Sequence, residues 1–343
     1  MKKILTTLCA VAMLAGCTAG GSKKSSTNTS TKEETAATVM VGTGSVTSVS
    51  NKAKEGSDTA AQFDTTFASV VLEGNVIKYV YFDVAQDKVT YDATGHVTSD
   101  NTTSTSKKAL GDKYGMKDKS PIKKEWYEQV EALEKWAVGK TVEEVLTMPT
   151  TQKDEKHTVT ADKDLMTGCT ISVTGFQQAL DAVEVKDVAS VGSAILTEVS
   201  GKDASAEKSG EAKASSTYGV VALDKDGKVV FTQTDEAQNA VKFTTAGALD
   251  GEAVAVATKG EKKDEYGMKK ASSIGKEWFE QNQAYDEWTV GKTAKEIADM
   301  KVTTNEGGKT VTADKDLMTG CTMGVDSLQK VTETAIAAAS KLN

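Results

Sequence analysis

Thirteen residues, Thr158 to Thr170 (TVTADKDLMTGCT), reappear without a change as Thr310 to Thr322. Each copy closes on a run in which a carboxylate (Asp164, Asp316), two hydroxyls (Thr167 and Thr170, Thr319 and Thr322), a glycine (Gly168, Gly320) and a thiol (Cys169, Cys321) fall together. The chemistry open to such a run is narrow. A threonine hydroxyl is a poor nucleophile near neutral pH and needs a base or a metal to activate it. The run carries no histidine, and 2 histidines and 4 cysteines in the whole chain are too few for the common multi-ligand metal sites. No catalytic or metal-ligating residue is therefore assigned.

The duplication reaches well beyond this run. Tyr114-Gly115-Met116 recurs as Tyr266-Gly267-Met268, Trp126 as Trp278, Trp136 as Trp288 and Gly139 as Gly291, all at an offset of 152 positions. A unit that long is a duplicated domain rather than a solenoid repeat. The expected class is α+β, with two tandem homologous domains over 37–190 and 191–343, each a small, mostly antiparallel sheet with helices. In the first copy Ser69–Leu72 and Val76–Val84 read as strands joined through Gly74-Asn75. In the second, Val220–Leu223 and Lys228–Thr234 flank Asp226-Gly227, a hairpin signal. A further strand is expected at Lys88–Tyr91 and at Ala240–Phe243. The stripe Ile122, Trp126, Val130, Leu133, Ala137 has helical spacing, as does Ile274, Trp278, Tyr285, Trp288. Gly139 and Gly291 stand where a left-handed helix terminator belongs. Thr141-x-x-Glu144 and Thr293-x-x-Glu296 are capping boxes. A last helix is expected from Thr174-x-x-Gln177 and Asp326-x-x-Gln329, so the repeated run lies on a strand or turn feeding a helix. The stretch 190–217 reads as a linker or as a loop inside the second domain.

Composition narrows the partners. All 41 basic residues are lysines, against 49 acidic ones, for a net charge of −8 over 343 residues. This excludes a basic nucleic-acid footprint and the guanidinium fork that grips phosphates. Lys2 and Lys3 precede an apolar run, Ile4 to Met13, and then Leu14-Ala15-Gly16-Cys17. That is the pattern of a secretory signal peptide over residues 1–16. Its ending resembles the lipobox of bacterial lipoproteins, which implies that Cys17 is diacylated and begins the mature chain. Two acyl chains anchor stably where one would not. Residues 17–36 then read as a lipidated flexible tether, too poor in apolar residues to bury a core, and the location implied is the outer face of the cell membrane.

The runs from Asp164 to Thr170 and from Asp316 to Thr322 resemble the covalent flavinylation motif Asp-x-x-Ser/Thr-Gly-Ala-Thr of the FMN-binding domain family. In that family a flavin transferase moves FMN from FAD onto the last threonine. The resemblance implies two covalent FMN groups, on Thr170 and Thr322, as phosphodiesters. Asp164 and Asp316 match the motif's acidic position, Thr167 and Thr319 its hydroxyl, and Gly168 and Gly320 its glycine, which would let backbone and transferase approach closely. Cys169 and Cys321 depart from it, standing where alanine is usual. The organisation is similar to that of the tandem-domain flavinylated lipoproteins of Gram-positive extracellular electron transfer. It implies an electron carrier rather than a dedicated enzyme. Its donor would be a membrane quinol or dehydrogenase system, and its acceptors would be extracellular ferric iron or free flavin. The alternative is a surface ligand-binding or adhesion lipoprotein without covalent flavin. Lys163 and Lys315 could neutralise the FMN phosphate or be solvated charges. Trp126 and Trp278 are expected in the core or stacked on flavin, Cys169 and Cys321 as small buried residues, and His96 and His157 at the surface. Asp224-Lys225-Asp226-Gly227 is expected as a hairpin turn.

Overall fold

The computed structural model describes residues 37–54, 57–154, 157–176 and 183–342. The expected signal peptide, Cys17 and tether lie outside the described residues, as does Gln177. Strand-forming sequence comes first in each copy. β1 (Ala37–Lys54), β2 (Ser57–Glu73) and β3 (Val76–Tyr91) form an antiparallel meander. Gly74 closes the β2–β3 turn at φ +63°, a left-handed conformation that glycine adopts without steric cost. β4 (Thr102–Ser104) follows, then the short antiparallel pair β5 (Thr150–Gln152) and β6 (Thr158–Thr160), and β7 (Val183–Val188) returns to pair with β1. The second copy repeats the plan with β8 (Ser190–Lys202), β9 (Gly210–Leu223), β10 (Val229–Phe243), the pair β11 (Val302–Thr304) and β12 (Thr310–Thr312), and β13 (Ser340–Lys341). The strand orders are β3-β2-β1-β7 and β10-β9-β8-β13, with β4 of the first copy also paired to β8 of the second. Between Val188 and Ser190 the chain leaves one sheet and enters the other.

The helices of the first copy are α1 (Lys107–Leu110), α2 (Trp126–Ala137) and α3 (Val142–Leu146). Those of the second are α4 (Lys259–Lys262), α5 (Trp278–Thr289), α6 (Ala294–Ala298), α7 (Lys315–Met318) and α8 (Asp326–Ala337). Gly139 and Gly291 follow α2 and α5 at φ +86° and +81°, and both Thr/Glu capping boxes form at α3 and α6. α2 and α5 start later than the apolar stripes suggest, because Glu125 and Glu277 cap them in reciprocal boxes with Glu128 and Glu280. That leaves Ile122 and Ile274 in the preceding turn. Asp326 is the first residue of α8 and not its cap; Val325 precedes it with no side-chain cap.

Three expectations about strands are corrected. Val76–Val84 and Lys88–Tyr91 are one strand, and so are the two segments of β10. Asp87 and Asn239, just before the expected Lys88–Tyr91 and Ala240–Phe243 segments, sit inside the strands with side-chain partners. Asp87 accepts a hydrogen bond from the Thr197 hydroxyl at 2.6 Å, and Asn239 accepts one from the Val256 N–H at 2.9 Å. The stretch 190–217 is neither linker nor loop: most of it is β8 and the first half of β9, whose alternating small residues fit a strand buried on both faces.

Successive side chains of a strand point to opposite faces, and here both faces are covered. Outward, Val70, Ile77, Val80 and Phe82 pack on Trp126, Val130 and Leu133 of α2, while Val221, Leu223 and Val229 pack on Ile297 of α6 and Val331 of α8. Inward, Phe63, Val89 and Tyr91 meet Ala214, Val241 and Phe243, and Phe67 meets Ile195 and Tyr218. The layer order is helices, sheet, sheet, helices, and both copies belong to one compact unit, Ala36–Asn343. The inner contact is reciprocal, as in a two-fold dimer. A Cβ on Gly95 would lie 2.8 Å from the Thr244 carbonyl oxygen, and one on the equivalent Gly247 would collide with the Asp92 carbonyl oxygen.

Candidate functional site

Each repeated run is a short turn that leaves its strand and folds over the start of the neighbouring long helix. Beyond β6, the Asp162 carboxylate accepts from the N–H groups of Asp164 and Leu165 at 3.1 and 2.9 Å, and Asp314 does the same for Asp316 and Leu317 at 3.0 and 3.1 Å. The Thr167 hydroxyl donates to the Asp164 carbonyl at 2.8 Å, and Thr319 donates to Asp316 at the same distance. Buried Leu165 and Leu317 pin the turns to the core. Thr167 and Thr319 thus close the turn. Asp164 and Asp316 are exposed, with carboxylates that bond to nothing among the described residues.

Gly168 and Gly320 are where the turn touches the helix. A Cβ on Gly168 would stand 2.8 Å from the Ala132 Cβ, and one on Gly320 would stand 2.6 Å from the Ala284 Cβ. The close approach these glycines allow within the chain is to its own helix. Cys169 and Cys321 follow as free, fully buried thiols in the cores of α2 and α5, and burial pushes each thiol up to about 11. A cysteine in that state is a small apolar filler and not a nucleophile.

The terminal threonines, Thr170 and Thr322, are half-buried. Each is held by a fully buried glutamine that lies 41 positions earlier in the chain. The Gln129 side-chain oxygen accepts from the Thr170 N–H at 2.9 Å and from its hydroxyl at 3.0 Å. The Gln281 oxygen accepts from the Thr322 N–H at 2.8 Å, its hydroxyl at 3.4 Å and the Met323 N–H at 3.1 Å. The amide nitrogens are tied down as well, Gln129 to Ser120 Oγ and the Lys124 carbonyl, and Gln281 to Ser272 Oγ and the Lys276 carbonyl, all at 3.1 Å. Each carboxamide is bonded through both its oxygen and its nitrogen, and it holds the Thr170 hydroxyl more closely than that of Thr322, which also accepts from Ser273 Oγ at 3.4 Å.

The cation beside the turn is not the one flanking it in sequence. Lys163 and Lys315 are exposed. A Cβ on Gly168 would instead lie 3.9 Å from the Lys124 ammonium, and one on Gly320 would lie 3.9 Å from that of Lys276. Both lysines are half-buried and make no ion pair among the described residues. Sequence reasoning missed Gln129, Gln281, Lys124 and Lys276, although Lys-Glu-Trp-aromatic-Glu-Gln recurs at 124–129 and 276–281.

The remaining candidates fall outside this cluster. Trp126 and Trp278 are 5% exposed core residues, each edge-on to a tyrosine, Tyr114 or Tyr266, with ring centroids 6.5 Å apart. They offer no open face for a flavin ring. His96 and His157 are exposed beside Asp203 and Asp154. Asp224 caps a hairpin turn, its carboxylate accepting from the Asp226 and Lys228 N–H groups at 2.9 Å. No family model matches the chain, and neither a curated protein nor a solved structure is found similar to it.

Proposed function

We propose that the protein is an electron carrier tethered by Cys17 to the outer face of a cell membrane, with FMN joined through phosphodiesters to Thr170 and Thr322. The observation that carries this reading is the paired presentation of the two threonines. Each ends the same turn, half-exposed, with its hydroxyl aimed by Gln129 or Gln281. In the transfer, the threonine Oγ bonds to the flavin-side phosphorus of FAD, the pyrophosphate P–O bond breaks and AMP leaves. The hydroxyl proton passes to a base of the flavin transferase, and nothing is oxidised. The chain's own residues hold the oxygen in place and bring the positive charge of Lys124 or Lys276 beside the turn, which suits a phosphodiester in a protein without arginine. When bound, the flavin supplies reversible electron transfer.

A covalent link suits an exported carrier, because a freely dissociating flavin is diluted into the medium whereas a tethered one keeps its effective concentration. The donor in this reading is a membrane quinol or dehydrogenase system, and the acceptors are ferric iron or free flavin outside the cell. Thr170 is held on α2 and Thr322 on α5, which cover different sheets, so each sheet carries one of the two threonines on its outer side.

The test is intact mass spectrometry of the chain co-expressed with a flavin transferase in the presence of FAD and magnesium. Two FMN units, mapped to Thr170 and Thr322, are expected. Thr170→Ala should lose one and Thr322→Ala the other, with both variants folded. No added mass beside a transferase proven active on another substrate would overturn the reading.

A further inference from the structure

The two copies differ at a half-buried carboxylate on the long helix. In the first, the Lys108 ammonium sits on Glu134 at 2.7 and 2.8 Å, 4.0 Å from the centre of the Tyr81 ring, with both charged side chains about one-seventh exposed. The Lys108 backbone N–H donates to Asp83 at 3.0 Å. In the second copy the equivalent of Lys108 is Gly260, whose N–H makes the same bond to Asp235 at 2.8 Å. Glu134 becomes Asp286 and Tyr81 becomes Gln233. The carboxylate has stayed and its ammonium has gone.

The space left behind is a cavity of about 800 Å³, walled by Gly260, Gln233 and Asp235 and by Phe279, Asp286 and Val290 from one face of α5 and its C-terminal cap. That volume lies in the range of small-molecule sites, and no residue of the repeated run lines it. Asp286 accepts from the Thr234 N–H and hydroxyl at 3.1 and 2.7 Å and from Asn282 Nδ2 at 3.3 Å, but it meets no cation among the described residues. The neighbouring Lys259 does not fill the place. It matches Lys107 and not Lys108, and it is committed to Glu236 at 2.8 Å. Lys263, on the cavity wall, stands over the Phe279 ring at 4.8 Å. Burial, with repulsion from Asp235, holds the Asp286 carboxyl well above the usual carboxylate range. A desolvated carboxylate without a counter-charge is unfavourable, and an ammonium on it restores the balance found in the first copy.

We propose that this cavity binds a small primary alkylammonium compound, its charged end on Asp286 where Lys108 holds Glu134 in the first copy, and its carbon chain along the apolar part of the cavity wall. The first copy carries an internal stand-in for that ligand. The site is independent of the flavin reading and would exist whether or not Thr322 is modified.

The experiment is calorimetric titration of the full chain with n-butylammonium, a mimic of the lysine side chain, and with the neutral n-butanol. Saturable binding of one n-butylammonium per chain, without binding of n-butanol, is expected. Asp286→Asn, which keeps an acceptor for Thr234, should weaken it at least tenfold. Lys108→Gly should open a second site, raising the stoichiometry to two, and n-butylammonium should recover the melting temperature that this variant loses. Absence of saturable binding overturns the proposal, as does undiminished affinity in Asp286→Asn or a Lys108→Gly chain that gains neither site nor recovery. Tighter binding of a lysine-bearing peptide than of the free amine would overturn the small-molecule assignment in favour of a partner's lysine.

Discussion

Tyr91 and Phe243 lie ring on ring, with centroids 3.8 Å apart and planes 6° from parallel, and they are the same position of the two copies. A local pseudo-two-fold axis therefore passes close to this stack, and the inner core belongs to neither copy alone. Removing either ring opens a cavity shared by both sheets. Phe243→Ala should cost about 3–5 kcal/mol, and a double-mutant cycle with Tyr91→Ala should return a coupling of about 0.5–1.5 kcal/mol. Because the core is shared, urea should unfold the copies in one transition, with fluorescence and far-ultraviolet dichroism superimposed. Two separate transitions would mean that the inner faces do not pack as described.

The glycine of each run can be tested through its neighbour. Gly168 faces Ala132 so closely that an added Cβ would stand 2.8 Å away. Gly168→Ala should then destabilise the chain by about 1–3 kcal/mol through overpacking. Ala132→Gly in the same chain should return part of that loss, beyond the cost of glycine in a helix, which is about 1 kcal/mol. A second substitution that only adds its own cost would place the strain elsewhere.

Asp87 gives a pH dependence of defined sign. It is 1% exposed between the sheets, and burial, with a contribution from Asp64, raises its carboxyl above the ordinary range despite the Thr197 and Ser104 hydroxyls. A carboxyl raised on folding binds its proton more tightly in the native state. Its stabilising contribution is complete below the unfolded value, near 4, and is lost as pH rises through the folded one. Asp87 therefore works against stability at neutral pH. Asn239 occupies the equivalent position of the second copy, so the site accepts an amide. Asp87→Asn should be more stable than the parent chain at pH 7, with the difference shrinking toward pH 4. Urea midpoints at the two pH values decide it, and a variant less stable at pH 7 refutes the argument.

What the sequence disclosed follows from the range of the interactions. The caps at Thr141 and Thr293 and the terminators Gly139 and Gly291 are local: residues within one turn satisfy one another's backbone groups, and their types announce it. Asp87 is the opposite case: its partner, Thr197, lies 110 positions away, so nothing near it in sequence shows that a charged side chain belongs in mid-strand. Gln129 was hidden in the same way. It looks like one polar residue on a helix stripe, and only the fold brings it under Thr170. The Lys-Glu-Trp-aromatic-Glu-Gln repeat marked that segment as shared by the copies, but not what it faces.

Gln129 also separates holding the threonine from merely filling the core. Its oxygen takes both the N–H and the hydroxyl of Thr170, while its nitrogen is fixed by Ser120 and the Lys124 carbonyl. Gln129→Glu keeps the size and the acceptor oxygens but loses the N–H donors, leaving Ser120 and the Lys124 carbonyl facing a carboxylate. Gln129→Leu removes both halves and strands the Thr170 N–H. The leucine variant should lose about 1–3 kcal/mol of stability, the cost of leaving a buried polar group unpaired. If the flavin reading holds, modification at Thr170 should slow in both variants while Thr322, held by Gln281, keeps its rate as an internal control. Peptide mass mapping over a time course with limiting transferase measures the two sites in one sample. A parallel slowing at both threonines would trace the effect to global destabilisation, and unchanged modification at Thr170 would show that the transferase positions the hydroxyl without help from Gln129.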